Sequence, residues 1–442
     1  MNAPRRRVAV IGSGISGLGA AWHLSEEADV TLFEAGRHFG GHANTVDMTL
    51  PGPNGPITHG VDTGFLVYNE RTYPQLIALF EQLQVPVAKS DMSFSVQAPA
   101  VGLEWSGSDL NTVFAQRSNL LRPRFWGMLS DIVRFNRLTT ALAEAGEDAA
   151  LAQPIADFLK EHRFGTLFTD GYLLPMIGCI WSSPTDQMLK FPIGTLIRFC
   201  HNHGLLQVAN RPQWYTVEGG SRNYVQRMLP RIHDARLMCP VHAVRRQPPD
   251  SGESGVLIDS PRGTERFDEV VLACHTNQSL SLLADATAAE RAVLGGIKYQ
   301  ANRAVLHTDT AVLPKRPLAW AAWNYERAPD QARESSAVCL HYLLNRLQPL
   351  PWQTPVVVSL NPVREIDPAK VHAVIDYDHP VFDLAAVAAQ QRLPEIQGHS
   401  HVWFCGAWTR YGFHEDGLMS GRAVADALRA RWANAPAERE SA

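Results

Sequence analysis

A discontinuous α/β fold is predicted, with a Rossmann-type dinucleotide-binding domain at its centre and a mixed α+β lobe beside it. Three observations carry this reading. Near the start, the apolar run at residues 8–11 leads into Gly12, Gly14 and Gly17 in Gly-x-Gly-x-x-Gly spacing, and then into the helix-compatible stretch LGAAWHLSE. DVTLFEA follows as a second strand ending at Glu34, about twenty residues beyond the first glycine. Far along the chain, VWFCGAWTRYGFHEDGLMSGRAVADAL reads as another strand, glycine-containing turn and helix.

Each piece of the first signature has a mechanical reason. A short β-branched run bounded by glycine suits a strand buried on both faces of a parallel sheet. Gly12 permits the tight turn, Gly14 lets backbone approach a pyrophosphate, and Gly17 lets helix and strand pack closely; Ser13 and Ser16 lie in the same cradle. The helix N-terminus turns its free N–H groups toward the phosphates. Glu34, followed by Ala35, places a carboxylate where it can accept the ribose hydroxyls. Arg5–Arg7 before an apolar run also resemble the opening of an export signal. The coherent strand–turn–helix pattern is preferred, and the arginines are read as a solvated flank.

Composition narrows the function classes. A net charge of -4 gives no overall attraction to nucleic acid. No uncharged apolar stretch approaches the ~20 residues that span a bilayer. Six scattered cysteines with no CxxC pair suit a reducing, cytoplasmic compartment better than a disulfide framework. HNHG, from His201, has no identifiable third ligand, so no metal is expected.

The residues after Glu34 choose between dinucleotides. FEAGRHFGGHANTVD, then VDTGFLVYN, together with HEDGLMSG near the other end, resemble the flavin-containing amine oxidase superfamily, which includes phytoene-desaturase-like and protoporphyrinogen-oxidase-like enzymes. WYTVEGGSRNYVQRML is a third, central match. The resemblance implies FAD, held by Gly40, Gly41, His42, Thr63, Gly64, Phe65, Val241, Ala273 and Gly406, with Glu415, Asp416 and Gly417 opening a helix that faces the flavin. IWSSPTDQMLKFP, LHTD and VSLNP extend the likeness to a bacterial branch of FAD-binding proteins associated with modification of membrane fatty acids. Departures are also present. His38 and His42 stand where relatives often carry arginines, Gly406-Ala407-Trp408 lacks an acid, and Asp416, in place of a glycine, reads as a helix N-cap. The strand QANRAVLHTD has Asn302 or Arg303 where many amine oxidases place a lysine.

The expected division is FAD-binding at 1–75, 214–275 and 401–432, a substrate domain at 76–213 and 276–400, and a flexible tail at 433–442. GVLIDS and ERFDEVVLACH, separated by PRGT, read as a β-meander, and 247–255 as an exposed turn. His414 and Glu415 are the candidates for acid–base work, Phe413 for an apolar wall, and Tyr68 with Asn69 for the ring's reactive edge. The expected reaction is FAD-dependent hydride removal from a C–H of an apolar substrate, a fatty acyl chain or membrane lipid. Amine oxidation, redox-neutral double-bond isomerisation and a non-catalytic flavin- or lipid-binding role are the alternatives. The arginines and aromatics of 117–137 raise a peripheral contact with the inner membrane face.

Overall fold

A computed structural model describes residues 5–145, 153–181, 185–205, 212–247, 254–330 and 337–434. The turn expected around 247–255 and the tail expected at 433–442 fall largely outside these residues.

A five-stranded parallel sheet gathers pieces from the whole chain, in the order Asp234–Arg236, Ala28–Phe33, Arg6–Ile11, Glu269–Leu272 and Val402–Phe404. Val8, Val10, Val30, Leu32, Val270 and Phe404 are buried, as strands covered on both faces require. Helix Ile15–Leu24 packs along helix His414–Asn434, so the two remote signatures meet. Glycine makes that approach possible: a Cβ on Gly421 would lie 2.2 Å from the Ser16 carbonyl oxygen.

The meander differs from expectation in one respect. Ala243–Arg246, Val256–Ser260 and Gly263–Phe267 form an antiparallel three-stranded sheet, but the run ERFDEVVLACH is divided. Its second half, Glu269–Leu272, turns away to become a parallel strand beside Arg6–Ile11. All four of its residues are buried, and the pairing that covers both faces wins over simple continuation.

The second lobe is a seven-stranded mixed sheet running Val371–Val381, Lys298–His307, Val357–Leu360, Leu340–Leu343, Trp323–Glu326, Phe94–Ala98 and Leu103–Ser106. Side chains alternate across it. Phe94, Trp323 and Tyr342 line the large cavity, while Asn324, Glu326 and His341 lie out of phase with them in a buried polar network on the other face. Helices over Thr276–Leu282 and Ala288–Leu294 follow the cofactor-type sheet, placing Leu283, Val293 and Leu294 in one apolar cluster with Val244, Phe267 and Phe404. Helix Pro74–Leu83 likewise packs on His414–Asn434.

The central Gly-Gly segment is tied down by Asp62. Its carboxylate accepts hydrogen bonds from Thr45 Oγ1 at 2.6 Å, Ser221 N at 2.9 Å, Ser221 Oγ at 2.7 Å and Gln348 Nε2 at 2.8 Å. Gly220, with φ of 99°, sits so close that a Cβ would fall 2.3 Å from Thr45 Cγ2.

Candidate active site

The phosphate cradle forms where Arg6–Ile11 passes into Ile15–Leu24, and the three glycines do different work. Gly12 has φ of 100°, and a Cβ there would sit 2.9 Å from the Ala273 carbonyl oxygen. A Cβ on Gly17 would fall 1.9 Å from the Gly12 carbonyl oxygen, so Gly17 closes the packing and does not line the cavity. Gly14 lines it, and a Cβ there would meet nothing within 4 Å. That open space is what a diphosphate in contact with backbone needs. Gly40 stands behind the turn, donating its N–H to Ser13 O at 3.0 Å and to Ser13 Oγ at 3.1 Å, while Ser13, Ser16, Gly41 and His42 line the cavity.

Glu34 accepts from Ser13 N at 3.0 Å, from the Ser13 hydroxyl, and from Gly36 N at 2.7 Å. An ionised carboxylate has about four acceptor positions, so capacity remains toward ribose hydroxyls. Ala35, Val241 and Ala273 line the same end, and Gly64, Phe65 and Gly406 lie farther along the same cavity of about 880 Å³. Thr63 does not line it; its hydroxyl bonds Asn44 O at 3.0 Å and Tyr377 OH at 2.9 Å, fixing the tyrosine instead.

Around His42 the structure assembles a group that the sequence reading did not anticipate. Tyr377 stacks on His42 with ring centroids 4.8 Å apart, His379 lies at 5.3 Å and His275 at 6.4 Å. Burial and the neighbouring imidazoles push His42 well below its ordinary value, and burial brings His379 down to about 4. His42 Nε2 is buried with no hydrogen-bond partner. Asn302, which occupies the lysine's expected neighbourhood, donates to His379 Nδ1 at 2.8 Å, so His379 carries its proton on Nε2. The histidines come from three separate segments, and only the fold brings them together.

The opposite end of the cavity is aromatic and apolar. Phe413 stacks on Phe199 with centroids 4.9 Å apart, and Met176, Ile180, Trp181 and Phe94 complete the wall. His203 lines this end too. Its Nδ1 meets Phe199 O at 2.9 Å, where only an N–H can bond, so Nε2 is left as an acceptor. Burial lowers His203 to about 4, which keeps the ring neutral.

Several expected site residues are corrected. His414 lines the cavity, but its ring stacks on Phe65 at 3.7 Å and its Nε2 bonds Tyr224 OH at 3.0 Å. Burial drives His414 to about 3, so its ring is neutral at pH 7, held between Phe65 and Tyr224. Glu415 does not line the cavity; its two oxygens accept Gln75 N at 2.8 Å and Leu76 N at 2.9 Å, capping helix Pro74–Leu83. Asp416 is not an N-cap, because the helix starts at His414. From the first turn it accepts Phe413 N at 3.0 Å, the reciprocal half of a capping box. Gly417 packs against Ile15 and Ser16 rather than the cavity. Tyr68 is outside the cavity, among Tyr73, Phe80 and Tyr215, and Asn69 accepts Arg71 N and Thr72 N in its own turn.

The residues present fit FAD. Open space at Gly14, the unpartnered His42 Nε2 and Glu34 suit the dinucleotide half. Helix His414–Asn434 opens beside the same cavity, which Phe413 and His414 line, and the positive end of its dipole suits the negative pyrimidine edge of a reduced flavin. Among the described residues one trio could ligate a metal, namely Glu326, Cys339 and His341, but Arg364 Nε already sits 2.6 Å from Glu326 Oε1.

The chain shares the fold of solved amine oxidases, and the residues that line its cavity suit FAD. The NAD(P)-binding Rossmann-like domain family matches residues 10–83. Protoporphyrinogen oxidase 2 (chloroplastic/mitochondrial) of Arabidopsis thaliana is 27% identical over 195 residues, which are 41% of this chain and 34% of that protein. The chain therefore matches about a third of that relative's length. Cyclohexylamine oxidase from Brevibacterium oxydans superposes with a TM-score of 0.66 at 16% identity, covering 98% of this chain and 100% of that one. The CLA-producing fatty acid isomerase from P. acnes gives 0.65 at 15% identity, covering 97% and 99%.

Proposed function

We propose that the protein is an FAD-dependent oxidoreductase that removes a hydride and a proton from adjacent carbons of a fatty acyl chain, introducing a double bond. The observation that carries this reading is the apolar end of the cavity, walled by Phe94, Met176, Ile180, Trp181, Phe199 and Phe413 with no carboxylate among them. An amine asks for an acidic or an aromatic cage; this wall holds no acid, and its aromatic pair Phe199–Phe413 keeps amine oxidation as the competing reading that the titration below decides.

FAD, when bound, supplies the two-electron acceptor. The protein's tasks are to orient the chain, exclude water and take the proton. Phe199 and Phe413 form the flat wall against which an acyl chain lies. His203 Nε2, neutral and with its tautomer fixed by Phe199 O, is the acceptor for the proton. Removing it through His203→Gln is expected to lower turnover by about 10²–10⁴-fold while FAD binding is retained. Equal turnover in the variant would assign the proton elsewhere.

Redox-neutral isomerisation of a double bond is a second reading, supported by the superposition on the fatty acid isomerase over 97% of this chain. Anaerobic titration separates the two. Net bleaching of the flavin by unsaturated or saturated acyl lipids, and not by amines, is expected for dehydrogenation. Turnover without net bleaching would establish isomerisation, and bleaching by amines alone would overturn both.

A further inference from the structure

We propose that one corner of the second lobe docks on an anionic lipid bilayer. Four short segments meet there: the turn Pro99–Val101, helix Leu110–Val113, the turn Arg117–Leu121 leading into helix Pro123–Ala145, and the turn Pro317–Ala319. They present large apolar side chains to solvent. Val101 is 58% exposed, Leu110 78%, Leu121 88% and Trp126 50%, with Leu120 and Leu318 also exposed. Half of the exposed large apolar side chains among the described residues thus lie at one corner.

The corner is held together. Arg122 Nη1 donates to Gly102 O at 3.2 Å, joining the segment that carries Leu121 to the Val101 turn. Trp126 Nε1 donates to Leu120 O at 3.0 Å, and its ring lies 5.2 Å from that of Phe114. Such a patch is costly in water unless something covers it.

Charge selects the occupant. Arg117, Arg122, Arg124, Lys315 and Arg316 surround the patch, all exposed. Glu104 is paired with Arg316 at 2.6 Å, and Asp109 is occupied in capping Leu110–Val113. Arg117, Arg122, Arg124 and Lys315 have no carboxylate partner among the described residues. Two copies of this face brought together by a two-fold axis would oppose like charges. An anionic headgroup layer would instead neutralise the cations while Leu121 and Trp126 enter its apolar margin. Strand Phe94–Ala98 runs outward from the cavity wall at Phe94 to this corner at Val101, so the docked surface is mechanically continuous with the cavity. The docking does not depend on which reaction the cavity performs.

Co-sedimentation of the full-length protein with vesicles tests it. Binding to phosphatidylglycerol–phosphatidylethanolamine vesicles at low salt, and none to pure phosphatidylcholine, is expected. The double variants Leu110→Glu/Leu121→Glu and Arg124→Gln/Lys315→Gln change only exposed positions, so their thermal midpoints should match the parent's. Each should weaken partitioning by about tenfold or more. Parent protein that stays in the supernatant would overturn the proposal, as would variants that bind equally well. A dimer dissolved by the leucine variant in sedimentation equilibrium would overturn it too, assigning the patch to a second copy.

Discussion

Gly14 and Gly17, three residues apart, separate binding from folding at the residue scale. Gly14→Ala adds a methyl group into open space, so the chain should fold with an unchanged unfolding midpoint yet lose FAD affinity. Gly17→Ala drives a methyl group to 1.9 Å from a carbonyl oxygen and should destabilise the fold by several kcal/mol, in the range of severe overpacking. Paired thermal melts and FAD titrations read both outcomes, and equal behaviour of the two variants would refute the assignment. The spacing of these glycines made their roles readable from sequence, because each role is local. His42, His275 and His379 were not readable as a group. They lie on unrelated segments, and only the fold puts the rings of His275 and His379 at 6.4 Å and 5.3 Å from that of His42.

At the scale of elements, helix His414–Asn434 was legible as a motif, but its first turn was misassigned. Acidic residues at a helix N-terminus read equally well as catalytic groups, caps or dipole partners, and sequence does not show that Glu415 reaches helix Pro74–Leu83. Its true partners, Gln75 and Leu76, are 340 and 339 residues away. Glu415→Gln should therefore lower stability by about 1–2 kcal/mol in chemical denaturation, as loss of a cap does. A large fall in turnover with unaltered stability would restore Glu415 to catalysis. Asp62 works similarly for the Gly-Gly segment, and burial raises it to about 6 despite four hydrogen-bonding contacts. At the apolar end, the stacking of Phe199 on Phe413 joins the helix that carries Phe199 to the turn before helix His414–Asn434.

For the whole molecule, burial sets how stability follows pH. His203, His307 and His379 are brought down to about 4 and His414 to about 3. In the unfolded chain these imidazoles take up protons near 6.5, so their contribution is complete above that pH and is lost as pH falls toward 4. Asp62 and Asp416, raised to about 6, act in the opposite sense: their contribution is complete below 3.8 and is lost as pH rises through 6. Four groups outweigh two. The unfolding midpoint of the FAD-free protein should fall between about pH 7 and pH 4.5; a rise over that interval would mean the carboxylates dominate. The discontinuous architecture was legible because both ends carry strand–glycine–helix signatures, whereas the apolar corner near Leu121 emerges only when four separated turns meet. Everything rests on remote segments closing around one flavin, and equilibrium titration of the FAD-free protein with FAD tests that most directly. One FAD bound per chain, retained through gel filtration and lost in Gly14→Ala, is the expected result. A protein that takes up no FAD, or that binds it equally well in Gly14→Ala, would contradict it.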